Sequence, residues 1–148
     1  MSLVPNSSEG RPLLDGVLVL DLASVGPAVR ASRWLADWGA DVVKVGPVPK
    51  DAGLQIVPPA YAYSAHRNMR RILLDLKSEG GRGAFLRLAS TADVVVESFR
   101  PGVIDRLGIG YQSLRTVNPG IVLCSTSGFG QTGPRAGWAG HDINYLAV

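Results

Sequence analysis

The chain has 148 residues, 46% hydrophobic and 18% charged, with a net charge of +3. That is enough apolar chain for one domain with a real core, and it excludes a disordered tail. No apolar run approaches the roughly 18 residues of a membrane span, and Met1 to Arg11 lacks the apolar stretch of a secretory signal.

Residues 1–12 read as a loose N-terminal arm, and residues 13–148 as one α/β domain. Val17–Leu22 is the first short, nearly continuous apolar run. Asp41–Val45, Ile72–Leu76, Asp93–Glu97 and Ile121–Ser125 follow. Runs this rich in Val, Ile and Leu suit strands buried on both faces of a parallel sheet. Helical patterns lie between several of them. Ala28, Ala31, Leu35 and Trp38 fall on one helix face, with Gly39 placed to end the helix. Phe85, Leu88, Ala89 and Ala92 mark a second helix, and Ser113–Asn118 a shorter one stopped by Pro119. Strands alternating with helices predict an α/β fold: a parallel, Rossmann-like sheet with flanking helices. Gly46–Ala60, with four prolines, and the glycine-rich Gly128–Gly140 read as long loops, and loops of that length are often functional.

The lone cysteine, Cys124, sits inside the last apolar run and reads as a small buried residue. It cannot form an internal disulfide, so a reducing, cytoplasmic setting is expected. Of the fifteen basic residues only Lys44, Lys50 and Lys77 are lysines. Guanidinium groups favour bidentate phosphate contacts. Aromatics are few and do not interleave with the arginines, so no nucleic-acid partner is expected.

Four segments carry chemistry. Gly128-Phe-Gly-Gln-Thr-Gly133 has the spacing of a dinucleotide fingerprint, but that motif must open a helix at its third glycine. Pro134-Arg-Ala-Gly137 offers no helical period, so a plain glycine-rich loop is the better reading. Arg67, Arg70 and Arg71 crowd the entry to a strand, as a phosphate clamp or as a solvated basic edge. Glu97-Ser-Phe-Arg-Pro-Gly102 leaves the carboxyl end of a strand, where α/β sheets bind ligands. There Phe99 can stack on a base, and Arg100 or Arg106 can meet phosphates. Finally, Gly140-His-Asp142 follows the glycine-rich loop. Asp142 is a candidate N-cap and His141 a structural histidine or a general base.

Taken in order, these segments resemble the superfamily of family III CoA-transferases and α-methylacyl-CoA racemases. The resemblance rests on Leu14-Asp-Gly16 running into Val19-Leu-Asp-Leu22, on Leu35 to Val45, on Leu74-Asp-Leu-Lys77 and on Ala92 to Gly102. It continues through Arg106-Leu-Gly108, Ser127 to Pro134 and Gly140-His-Asp-Ile-Asn-Tyr-Leu-Ala147. It covers nearly the whole chain and places it as the N-terminal part of the family's large domain. The resemblance implies coenzyme A contacts at Val25, Arg70, Leu74, Ser98, Phe99, Arg100 and Arg106. It also implies that Gly-His-Asp-Ile-Asn-Tyr is the racemase form, with His141 moving the α-proton of a 2-methylacyl-CoA through an enolate and Asp142 supporting it. The second catalytic group of the family, an aspartate, is expected further along than Val148, so the 148 residues by themselves are expected to be inactive. CoA transfer between carboxylic acids is the alternative, and a non-catalytic CoA-binding unit a third reading. The acyl-CoA thioester is both substrate and partner. No metal, separate cofactor or membrane partner is implied, and full-length members form interlocked homodimers. One departure stands out. After the second strand the family usually has an acidic residue and often an arginine near the adenosine; here the chain reads Val45-Gly46-Pro47.

Overall fold

The computed structural model describes residues 10–23, 26–49, 66–140 and 142–147. Its five strands are β1 (Leu18–Asp21), β2 (Asp41–Gly46), β3 (Met69–Leu73), β4 (Val94–Glu97) and β5 (Val122–Ser125). All pair parallel, in the order β3-β2-β1-β4-β5. The helices are α1 (Pro27–Asp37), α2 (Glu79–Ala89), α3 (Val103–Arg106), α4 (Tyr111–Val117) and α5 (Asp142–Leu146). The expected parallel, Rossmann-like sheet with flanking helices is therefore present.

Alternation along the strands divides the core into two layers. Leu20, Leu22, Val43, Val45 and Val95 face one way and pack with Phe85, Ala89, Ile104 and Leu114 from α2, α3 and α4. Val19, Val42 and Val96 face the other way and pack with Ala28, Val29 and Ala36 of α1. Val19, Leu20, Val42 and Val95 are completely buried. The central strands are thus apolar on both faces because both faces are covered.

Local signals fix the helix ends. Pro27 opens α1 at a position where its missing N–H costs nothing. Gly39, at φ 98°, lets the chain leave α1 and turn into β2. Ser78 caps α2 by accepting a hydrogen bond from the Gly81 N–H at 3.0 Å. Asn118 ends α4 and ties it back to α2, donating from Nδ2 to the carbonyls of Ala89 and Ala92.

Three details differ from expectation. The buried face of α1 is Ala28, Val29, Ser32 and Ala36, not the Ala28-Ala31-Leu35-Trp38 stripe. Small residues let the helix axis come close to the sheet, while Trp38 terminates the helix and stays half exposed. The third strand begins at Met69, three residues earlier than the apolar run, because an edge strand tolerates Arg70 and Arg71. Cys124 is exposed rather than buried. It lies on the opposite edge strand, on the face that α1 covers over β1, β2 and β4.

Candidate acyl-CoA-binding site

The strand order reverses between β1 and β4, whose connections leave the sheet in opposite directions. The carboxyl ends of these two strands flank the crevice in which open α/β sheets place ligands. Two buried carboxylates shape its walls. Asp21 ends β1 and is completely buried; its Oδ1 accepts the Ala23 N–H at 2.7 Å and its Oδ2 accepts the Lys44 ammonium at 3.0 Å. Glu97 ends β4, also buried, and its Oε2 accepts the Phe99 N–H at 2.6 Å. Each carboxylate folds back on its own backbone two residues on, fixing the path by which the chain leaves the strand. Burial pushes the Lys44 ammonium below the usual lysine range, opposed by the charge and hydrogen bond of Asp21.

The turn after β4 carries most of the expected contacts. Ser98 and Phe99 are half-buried and Arg100 is exposed. The Arg100 carbonyl accepts the Val103 N–H at 3.1 Å, starting α3. Gly102 caps α3 in the left-handed region, φ 77°, where side-chain-bearing residues are strained. Arg106, one turn later, folds back over it: its Nη1 lies 3.4 Å from the position a Cβ on Gly102 would take. Ser98, Phe99, Arg100 and Arg106 therefore gather around one turn. Leu74 directly follows β3 at the same end of the sheet, its N–H donating to the Gly46 carbonyl at 2.9 Å. The Leu74 and Phe99 side chains both pack against the core layer of Leu22 and Val45. Phe99 thus has a structural share in the floor as well as a ring edge to offer.

Arg70 sits elsewhere. It lies near the amino end of β3 and pairs with Asp41, the first residue of β2, through Nε at 3.0 Å and through Nη2. Arg67 pairs with Asp37, at the end of α1, at 2.9 Å. The structure does not bring Arg70 to the carboxyl end with the β4 turn. Alternation puts it on the other face from Arg71, with a carboxylate already waiting there.

Asp142 is the first residue within α5, so it does not occupy the N-cap position expected for it, although a helix does start there. His141 and Val25 lie outside the described residues. Beyond Gly133 the glycine-rich loop runs through turns to Gly137, with no helix opening there, which removes the dinucleotide reading. In this loop Trp138 stands edge-on to Phe129, ring centroids 6.0 Å apart, and the Arg135 guanidinium lies 5.2 Å from the Trp138 ring centroid. Among the described residues no group of three or more His, Cys, Asp or Glu is placed to hold a metal ion. No helix among them is long and apolar enough to cross a membrane.

The Asp21–Lys44 pair was not expected as part of the site. Its signal was present: a charge inside Val-Leu-Val-Leu-Asp-Leu, and another inside Asp-Val-Val-Lys-Val, cannot be buried without a partner.

The switch point between β1 and β4 and the arginine-bearing glycine turn beside it form the candidate ligand site of this Rossmann-like sheet. The chain belongs to CoA-transferase family III, whose model matches residues 14–148. It is 39% identical to a succinate–glutarate CoA-transferase of Agrobacterium fabrum, over 96% of this chain and 38% of that protein. It is 40% identical to an acetyl-CoA:oxalate CoA-transferase of Acetobacter aceti, over 90% of this chain and 36% of that protein. It is 37% identical to the α-methylacyl-CoA racemase of Homo sapiens, over 91% of this chain and 33% of that protein. Among solved structures, a CaiB/BaiF family protein from Brucella suis superposes with a TM-score of 0.81 at 38% identity, covering 89% of this chain and 38% of that one. The chain thus spans little more than a third of the length of these relatives. Both branches of the superfamily, transferases and racemases, stand at similar identity.

Proposed function

We propose that the protein acts on acyl-CoA thioesters and that its reaction is racemisation at the α-carbon of 2-methylacyl-CoA. The nucleotide end of CoA lies in the crevice at the carboxyl ends of β1 and β4. Ser98, Phe99 and Arg100 line it, and Arg106 meets a phosphate. The observation that carries the racemase reading is the string Gly140-His141-Asp142-Ile143-Asn144-Tyr145. Inversion needs one group to remove the α-proton from one face and another to return a proton on the other. His141 is one of the two, with Asp142 in support, and the thioester carbonyl carries the enolate charge between the two transfers. A homodimer and a cytoplasmic setting belong to the same proposal.

CoA transfer between carboxylic acids is the second reading, favoured by the identities of 39% and 40% to two transferases. The two reactions separate cleanly. A racemase exchanges the α-proton of a chiral 2-methylacyl-CoA with deuterated solvent and needs no acid co-substrate. A transferase requires an acceptor acid and passes through a covalent acyl intermediate. Transfer to a free acid without α-proton exchange would replace the racemase reading by the second.

The binding half has its own test. Arg106→Ala should weaken acetyl-CoA by roughly 1.5–3 kcal/mol, the range for a lost charge-assisted hydrogen bond. Wild-type affinity should fall as salt is raised, because exposed ionic contacts are screened. Calorimetry showing unchanged affinity in Arg106→Ala removes that residue from the site.

A further inference from the structure

The three arginines that crowd the start of β3 have different fates. Arg67 and Arg70 are matched by Asp37 and Asp41 on the amino-terminal side of the sheet. Arg71 has no such match among the described residues. It stands opposite Lys44 in the β2–β3 register, and Lys44 stands opposite Asp21 in the β1–β2 register. Alternation puts all three on the α1 face of the sheet. Asp21 is paired with Lys44, which stands between it and Arg71 in the register, and it is buried while Arg71 is exposed. Among the described residues Arg71 has no carboxylate partner.

Its side chain runs toward the carboxyl end of the sheet. Nη2 and Nε lie 3.4 and 3.5 Å from the position a Cβ on Gly46 would occupy. A Cβ there would meet Leu73 Cδ2 first, at 3.1 Å, so glycine at the last position of β2 leaves room for both Leu73 and the guanidinium. Arg71 is exposed, so it presents to solvent, at the carboxyl end of the β2–β3 edge, a bidentate cation without a carboxylate partner among the described residues. Its field is felt nearby. The charge of Arg71 contributes to lowering both Lys44 and His66, behind burial as the main cause. An anion at Arg71 would relieve that repulsion.

We propose that Arg71, lying across Gly46, is the contact for the terminal phosphomonoester of CoA and fixes the ligand's preference for that group. This rests on the acyl-CoA reading above. A phosphomonoester carries close to two charges at neutral pH and offers the oxygen fork that a guanidinium matches. β3 lies three strand spacings, roughly 14 Å, from β4. With arginine side chains reaching in from both sides, Arg106 and Arg71 can hold two separate phosphate groups of one extended ligand.

The test compares CoA with 3′-dephospho-CoA by calorimetry, on the protein and on Arg71→Ala, Arg71→Lys and Gly46→Glu. The wild type should prefer CoA by about tenfold to a hundredfold, as for a lost charge-assisted contact. Arg71→Ala should abolish the preference by lowering CoA affinity to the level of dephospho-CoA, whose own affinity stays unchanged. Gly46→Glu should do the same without touching Arg71, since its carboxylate would sit against the guanidinium. Arg71→Lys should keep part of the preference. Circular dichroism checks that each variant is folded, and Gly46→Glu and Arg71→Lys decide the matter if Arg71→Ala is not. Equal weakening of both ligands, or a preference surviving in Arg71→Ala or Gly46→Glu, overturns the assignment to Arg71 and leaves CoA binding intact. A wild type that binds neither ligand overturns the acyl-CoA reading itself, and Arg71 falls with it.

Discussion

In the full-length protein, replacing His141 with alanine is expected to lower α-proton exchange into a chiral 2-methylacyl-CoA by about 10²–10⁴-fold, the usual worth of a positioned general base. The expectation comes from the two-face requirement of the proposed racemisation and from the Gly140-His141-Asp142 string in the sequence. CoA affinity should change little, because the contacts proposed for the nucleotide lie on the β4 turn and on β3. A drop in binding equal to the drop in rate would assign His141 to ligand positioning instead. An unchanged exchange rate would remove it from the chemistry. Asp142→Asn separates support from a role at the helix start. An Asp142→Asn protein with its pH–rate profile displaced supports a role through His141, since asparagine keeps the shape and loses the charge.

Asp21→Ala is expected to cost about 3–5 kcal/mol of stability, the range for breaking a buried ion pair by removing one partner. The substitution strands the Lys44 ammonium, only 6% exposed, and leaves the Ala23 N–H without its acceptor. Urea denaturation with an unchanged m-value measures it. The sign of the pH dependence follows from Lys44. Its folded-state pKa already lies below the ordinary lysine value through burial, and loss of Asp21 lowers it further. The unfolded chain then binds more protons than the folded one across that interval, so stability rises with pH there. The deficit of Asp21→Ala should shrink as the pH is raised toward the ordinary lysine range. The double variant Asp21→Leu/Lys44→Met should recover most of the loss, because a well-packed apolar pair replaces a buried ion pair at little cost. A single-variant loss below about 1 kcal/mol would match a surface pair and contradict the burial of this one.

The pair bears on function through the β1 turn. Asp21 and Glu97 end the two strands that flank the crevice, and each holds the backbone N–H of the second residue of the connection that follows. Loosening one of them should blur the ligand site before the sheet itself gives way, because the sheet is held by the apolar layers on both faces.

The sequence by itself determined the class of fold. Five β-branched and leucine-rich runs, several of them separated by helical periods, require a sheet covered on both faces, and Gly39 and Pro119 mark where helices end. It also determined the segment after β4, because a Ser-Phe-Arg-Pro-Gly turn at a strand's carboxyl end is a local signal. Tertiary structure decided what depends on neighbours. Which face of α1 is buried follows from how closely small residues let the helix approach, and hydropathy alone points to Trp38. Whether Cys124 is buried depends on β5 being an edge strand, and an apolar run does not reveal its place in the sheet. The three arginines near β3 are one cluster in the sequence. Strand alternation and register send Arg70 to Asp41 at the amino end and Arg71 across Gly46 at the carboxyl end. The partner of Asp21 is 23 residues away, in the next strand of a parallel sheet, and only the pairing of β1 with β2 makes the two charges neighbours.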